Sequence, residues 1–287
     1  MTKTAHQQLT LCILIPLILC AYTAATGYTN TQSPMILVYI TVLSLTIHWI
    51  AAVPAISLKT EKFYDIIGTV AVWGIIICCY LLSPMNSPRS LLLAGICLLW
   101  TTRLGLFLLY RIHNHKKDSR FDSIKRQPLS FMIAWEMSAT WTVVTTLCAT
   151  AAMTSMTQAP LSSVDIGLLC GWLVAWLTEA VADWQKYQFK QHKQKTPFIC
   201  TGLWAYCRYP NYLSEMLMWI LVACLSWPNL TGTLYMSLIS PCFVIILLTS
   251  ISGINLQEAA NEKRFGRLKS YQKYKKDTPL LIPKIFS

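Results

Sequence analysis

A small group of ionisable and amide side chains in the second half of the chain has the spacing of a polar binding site. Glu179 and Asp183 stand four residues apart, hence on one face of a helix, and Lys186 and Lys190 continue roughly the same stripe. Further on, Arg208-Tyr209-Pro210-Asn211-Tyr212 is followed by Glu215, four residues after Asn211. Both groups lie where long apolar stretches end. Ionisable groups at membrane depth are costly and tend to line a cavity or pathway. Two neighbouring segments that bring Glu179, Asp183, Asn211 and Glu215 to one level predict a polar pocket open to water on one side. The plainer role of Glu179 and Asp183 is pairing with the nearby lysines.

The elements that must carry these residues follow from composition. Of 287 residues, 54% are hydrophobic and 13% charged, against roughly 25% charged in soluble domains. The expectation is an all-α, polytopic membrane bundle in one integral-membrane domain, 1–287. Eight stretches approach the ~20 apolar residues a spanning helix needs: Leu9–Ala25, Pro34–Ile56, Ile66–Leu82, Leu91–Tyr110, Phe131–Met153, Leu161–Ala182, Tyr212–Ser226 and Leu234–Ile254. A seven-span version has one stretch re-entrant. Leu9–Ala25 is read as a span and not as a cleaved leader. Pro210 suits a helix start, because the first turn has spare N–H groups.

Charge sets the orientation. With eight spans, 22 of the 24 Lys and Arg fall on the side that also holds both termini; Arg89 faces the other way and Arg103 lies within a span. By the positive-inside rule that side is cytoplasmic, so the expected location is a multi-pass protein of the bacterial inner membrane or the endoplasmic reticulum. The net charge of +12 then reflects topology and anionic head groups; nucleic acid is not an expected partner, nor is an obligate protein partner.

Other candidates are weaker. His192, Cys200 and Cys207 share a loop without the spacing of a zinc site, and no metal is expected. The 11 cysteines sit mostly in apolar runs, where they act as small hydrophobes. Gly167 and Gly171 read as a helix-packing contact. Glu136, near the start of the fifth span, is read as snorkelling to the surface. His48 reads first as a helix–helix hydrogen bond.

Taken in order, several segments resemble the membrane reductases related to steroid 5α-reductase, in their broad bacterial-type branch (DUF1295). They are Glu61-Lys62-Phe63-Tyr64-Asp65 with Gly68, Leu99-Trp100-Thr101-Thr102-Arg103-Leu104-Gly105, Lys117-Asp118-Ser119-Arg120-Phe121 and Glu179-Ala180-Val181-Ala182-Asp183-Trp184-Gln185-Lys186. Thr201 to Glu215 and the tail Tyr271-Gln272-Lys273-Tyr274 with Thr278-Pro279-Leu280-Leu281-Ile282-Pro283 complete the match, over 61–283. The resemblance implies NADPH-dependent reduction of a carbon–carbon double bond conjugated to a carbonyl, in a sterol- or isoprenoid-like lipid drawn from the bilayer. It implies a dinucleotide held by helix ends and cytoplasmic loops, in agreement with the absence of a Gly-x-Gly-x-x-Gly segment. Carried over by motif, Glu179, Asp183, Arg208, Asn211, Tyr212 and Glu215 line the cofactor site, with Arg120, Lys190 and Tyr206 as further candidates. Basic groups suit the phosphates; carboxylates and the asparagine suit ribose hydroxyls and the carboxamide.

Two departures concern the substrate. Steroid reductases of this kind hold the 3-oxo group with a glutamate in an early span and a tyrosine in a later one. Here the second span has no carboxylate, only His48, and Trp100 falls where the tyrosine is expected. Asp65 and His48 are therefore the catalytic acid candidates. Tyr209 also replaces the usual histidine. The competing expectations are an S-adenosylmethionine-dependent methyltransferase of the isoprenylcysteine carboxyl type, which shares an Arg-x-Pro-x-Tyr segment, and a non-catalytic lipid-binding protein.

Overall fold

The computed structural model describes residues 34–115, 121–191 and 196–283; the expected span Leu9–Ala25 and the candidate Arg120 lie outside them. Among the described residues there is no strand, and the expected spans are helical: α1 Pro34–Leu58, α2 Tyr64–Leu82, α3 Pro88–His115, α4 Pro128–Thr154, α5 Ser163–Gln191 and α6 Pro210–Ser226. The last expected span is a composite. It runs through a 3-10 segment (Gly232–Leu238), α7 (Ile239–Ile246) and a π-helical turn (Leu247–Ile251) before a break and α8, Ile254–Phe265. A final helix, α9, covers Lys269–Asp277. Five stretches are long and apolar enough to cross a membrane: Met35–Leu58, Tyr64–Leu82, Pro88–Asn114, Ser163–Gln191 and Gly232–Phe265. This is an all-α, multi-pass membrane protein.

The described chain divides into two compact units. The first holds everything up to Ser162 together with Val222–Ser240; the second holds Ser163–Leu221 and the chain from Pro241.

In the first unit α4 is the axis, packed against α1, α2 and α3. Every residue from Thr142 to Thr154 is buried. A helix enclosed in this way must satisfy most of its polar groups locally, and four of its threonines do so. The hydroxyls of Thr142, Thr146, Thr150 and Thr154 donate to the carbonyls of Ala139, Thr142, Thr146 and Thr150 at 2.8, 2.7, 3.2 and 2.9 Å. Neighbours lock on at the same faces. The Ser44 and Thr142 hydroxyls are 2.8 Å apart, and Ser240 Oγ donates to the Thr145 carbonyl at 2.5 Å.

One end of this unit is closed by Arg89, only 2% exposed. Its guanidinium donates to the carbonyls of Ala159 (3.2 Å), Pro160 (2.9 Å) and Leu225 (2.8 Å). Asn229 ties the same region, donating to Ala152 O and Gln158 Oε1 and accepting from Ala159 N. Elsewhere in the unit, Lys125 pairs with buried Glu61 at 2.6 Å, beside the aromatic cluster Tyr64, Phe121, Phe131 and Trp135.

Two local results differ from expectation or extend it. Glu136 does not snorkel: it is 0% exposed and accepts from Trp49 Nε1. The indole of Trp49 on α1 holds its side chain inward. Helix α1 ends at Lys59, whose φ of 49° is left-handed. Lys59 N bonds Ile56 O and Thr60 N bonds Ala55 O, the paired bonds of a Schellman cap in which glycine is the usual occupant.

Candidate functional site

The second unit builds its site on the junction of α5, the loop 196–209 and the first turn of α6. The loop is clamped to α5. Gly202 has φ +63°, and any side chain there would collide with the Gln185 carboxamide, which itself accepts from Leu203 N at 3.0 Å. Trp204 Nε1 donates to Ala182 O at 3.1 Å, and Lys186 Nζ lies 4.9 Å from the Trp204 ring. From the other side, Tyr274 Oη donates to Trp204 O at 2.7 Å and Arg208 N to Pro279 O at 2.9 Å. Phe198 packs among Phe265, Tyr271 and Tyr274. Pro210 then opens α6, where its missing N–H costs nothing.

This geometry brings the sequence candidates of α5 and α6 together. Asn211 Nδ2 donates to Asp183 Oδ1 at 3.2 Å. Deeper in the pair, a methyl placed on Gly171 would lie 3.5 Å from Leu221 Cδ1. These two points, with numbering that rises on one helix as it falls on the other, fix an antiparallel register. That register sets Glu179, one turn from Asp183, level with Glu215, one turn from Asn211. Glu179 is 2% exposed. Of the two glycines expected to pack, Gly171 faces Leu221, while nothing approaches Gly167.

The remaining candidates occupy different settings. Tyr212 stacks on buried Tyr209, with ring centroids 5.7 Å apart and planes within 5°. Tyr206 is 62% exposed, and Lys190 is exposed in the last turn of α5. Asp65 and His48 belong to the first unit. Asp65 lies in the first turn of α2, where a carboxylate suits the helix dipole, with Arg111 Nη2 3.5 Å away. His48 is buried between α1 and α4. A carbonyl can only accept, so Nδ1 donates to Ser44 O at 2.8 Å, and Nε2 is left to accept from Ser138 Oγ at 3.2 Å. That is the helix–helix bond its position suggested.

One residue was missed. Glu258, in the first half of α8, accepts from Arg208 Nη1 at 2.5 Å and from Tyr209 Oη at 2.6 Å. The signal was present as Glu258 and Glu262, four apart, just beyond the last apolar stretch and ahead of a basic run; that run had been read only as topology. Arg208 Nε and Asn211 Oδ1 are among the polar atoms buried here without a hydrogen-bond partner. Burial pushes the Tyr209 phenol above its ordinary value of 10, and the neighbouring Glu258 adds to the shift. Burial likewise raises Tyr274, Tyr271 and the Cys207 thiol.

A family model described as a protein of unknown function, DUF1295, matches residues 48–278. The chain belongs to the DUF1295 family. The DUF1295 match takes in α5, the clamped loop, α6, Glu258 and the C-terminal helices, so the Asp183–Asn211 and Arg208–Glu258 pairs lie inside the shared region. No curated protein and no solved structure matches the chain.

Proposed function

We propose that this DUF1295 member is an NADPH-dependent membrane oxidoreductase that reduces a carbon–carbon double bond conjugated to a carbonyl in a hydrophobic, sterol- or isoprenoid-like lipid. The observation that carries the reading is the Asp183–Asn211 contact, flanked by Glu179 and Glu215 a turn away, with Asn211 Oδ1 buried and unpartnered. An acceptor left unsatisfied in a buried setting costs about 1–3 kcal/mol, and a ligand rich in hydroxyl and amide groups relieves that cost. The residues present fit such a group. Asp183, Glu179, Asn211 and Glu215 suit ribose hydroxyls and the carboxamide, while Lys186 and Lys190 on the same helix suit phosphates. When bound, the nicotinamide supplies the hydride. The chain's own part is to fix the ring edge through Asn211, to flank it with the Tyr209–Tyr212 stack, and to let a greasy substrate arrive from the bilayer. Under this reading the site faces the cytoplasm, where the charged dinucleotide is available.

The carboxylates also support a second reading. Glu179, Asp183 and Glu215 crowd one junction, and carboxylates suit a cationic ligand such as S-adenosylmethionine. Thermal unfolding of the detergent-solubilised protein separates the two. NADPH at low micromolar concentration is expected to raise the midpoint, and S-adenosylmethionine and NADH are not. The reverse pattern overturns the reductase reading. Asn211→Ala is expected to remove the NADPH response while the ligand-free midpoint stays within a few degrees of wild type.

A further inference from the structure

The start of α6 is tied to the C-terminal helices by side chains of alternating charge. Arg208 Nη1 lies 2.5 Å from Glu258 Oε2; Lys275 Nζ lies 4.0 Å from that oxygen and 2.8 Å from Glu262 Oε2. The other oxygen of Glu258 accepts from Tyr209 Oη at 2.6 Å. The Arg208 and Glu258 side chains are 13% and 22% exposed, so solvent screens their attraction weakly. One carboxylate on α8 therefore fixes two consecutive residues at the mouth of the site, and a guanidinium so paired offers an incoming anion little net charge.

We propose that Glu258 is a positioning residue for the site: it orients Arg208 and Tyr209, cancels the Arg208 charge, and leaves the anionic part of a ligand to Lys186 and Lys190. Arg208 then serves as an internal strut whose remaining donors point in fixed directions, and not as the phosphate-binding cation that its motif position suggests. The physical basis is the cost of an unpaired charge. Removing either partner of a pair this enclosed strands the other, whereas removing both strands neither. The ligand half of the proposal rests on the reductase reading; the pairing half does not.

The test uses the full chain in detergent with Arg208→Gln, Glu258→Gln and the double variant, read in two ways. Without ligand, each single change is expected to lower the unfolding midpoint by roughly 5 °C, and the double variant to recover more than half of that loss. Additive losses would overturn the pairing. With NADPH as the probe, Arg208→Gln leaves an unopposed carboxylate and is expected to weaken binding at least tenfold. Glu258→Gln uncovers a positive charge and is expected to tighten it, and the double variant to return within about threefold of wild type. A double variant that binds no better than Arg208→Gln shows that Arg208 contacts the ligand itself, and it sinks the reassignment. If the wild-type chain does not bind NADPH, the reductase reading fails while the ligand-free cycle still decides the pairing. Should a glutamine variant not fold, Tyr209→Phe removes only the hydrogen bond to Glu258 Oε1 and is expected to give a smaller drop in midpoint; no drop at all counts against the proposal.

Discussion

The two units handle buried polarity in opposite ways. In the first, polar side chains are answered mainly by backbone. Arg89 donates to three carbonyls, His48 to the Ser44 carbonyl, and the threonines of α4 to the turn below them. In the second, side chains are answered by other side chains: Asp183 by Asn211, and Glu258 by Arg208 and Tyr209. Backbone partners are fixed by the helices and change only if the helices do. Side-chain partners rearrange at modest cost and can be exchanged for a ligand. Under the proposed function, the contrast suits scaffolding in the first unit and recognition in the second. It has exceptions on both sides: in the first unit Lys125 pairs with Glu61 and Trp49 donates to Glu136, and in the second Trp204 and Tyr274 donate to backbone carbonyls.

The largest expected effect tests the scaffold. Arg89→Ala strands three carbonyl groups and is expected to cost about 3–5 kcal/mol, measured by reversible unfolding in mixed micelles, with ligand affinity intact in whatever fraction stays folded. A stable variant with lost binding would erase the division between the units. Next is pH. The phenols of Tyr209, Tyr271 and Tyr274 are all raised in the folded state, and Lys275 is raised by its bond to Glu262. Groups with raised values contribute fully below the unfolded values, near 10 for tyrosine and about 10.4 for lysine. Their contribution is lost as pH climbs toward the folded values. The unfolding midpoint is therefore expected to fall above pH ~10, and Tyr209→Phe to fall less steeply. An alkaline loss indifferent to that change would rule out the Tyr209 phenol as its source.

Smaller effects sharpen the picture. Lys59→Gly relieves a left-handed lysine at the end of α1 and is expected to stabilise by about 1 kcal/mol. Thr146→Val removes a hydroxyl whose carbonyl acceptor lies within the same helix, so the expected cost is below about 1 kcal/mol. A larger loss would mean that the α4 threonines hold more than their own turns.

Much of this was legible beforehand. Runs such as Ile66–Leu82 and Leu91–Tyr110 gave helices within a few residues, because bilayer thickness and backbone hydrogen bonding leave little choice. The Asp183–Asn211 meeting was legible from four-residue spacing on two segments that had to be neighbours. What could not be read was partnership across long separation. Glu136 looked like a surface acid because nothing local reveals its partner Trp49, 87 residues upstream on α1. Threonine also lowers the hydropathy of α4, so it is not among the five strongly apolar stretches despite its length. Glu258 was hidden for a similar reason: its partners lie about fifty residues upstream, and its own neighbourhood is a charged run that has a sufficient explanation in orientation.

The Gly202 turn has a consequence for how anything enters the second unit. With the Gln185 carboxamide seated against it and the Trp204 indole anchored to α5, the segment ahead of α6 is a doorpost and not a door. Under the proposed function, a visiting molecule meets an edge already in shape, so little ordering entropy is lost on arrival, and replacing this one glycine would shift the threshold without touching any group that greets the guest.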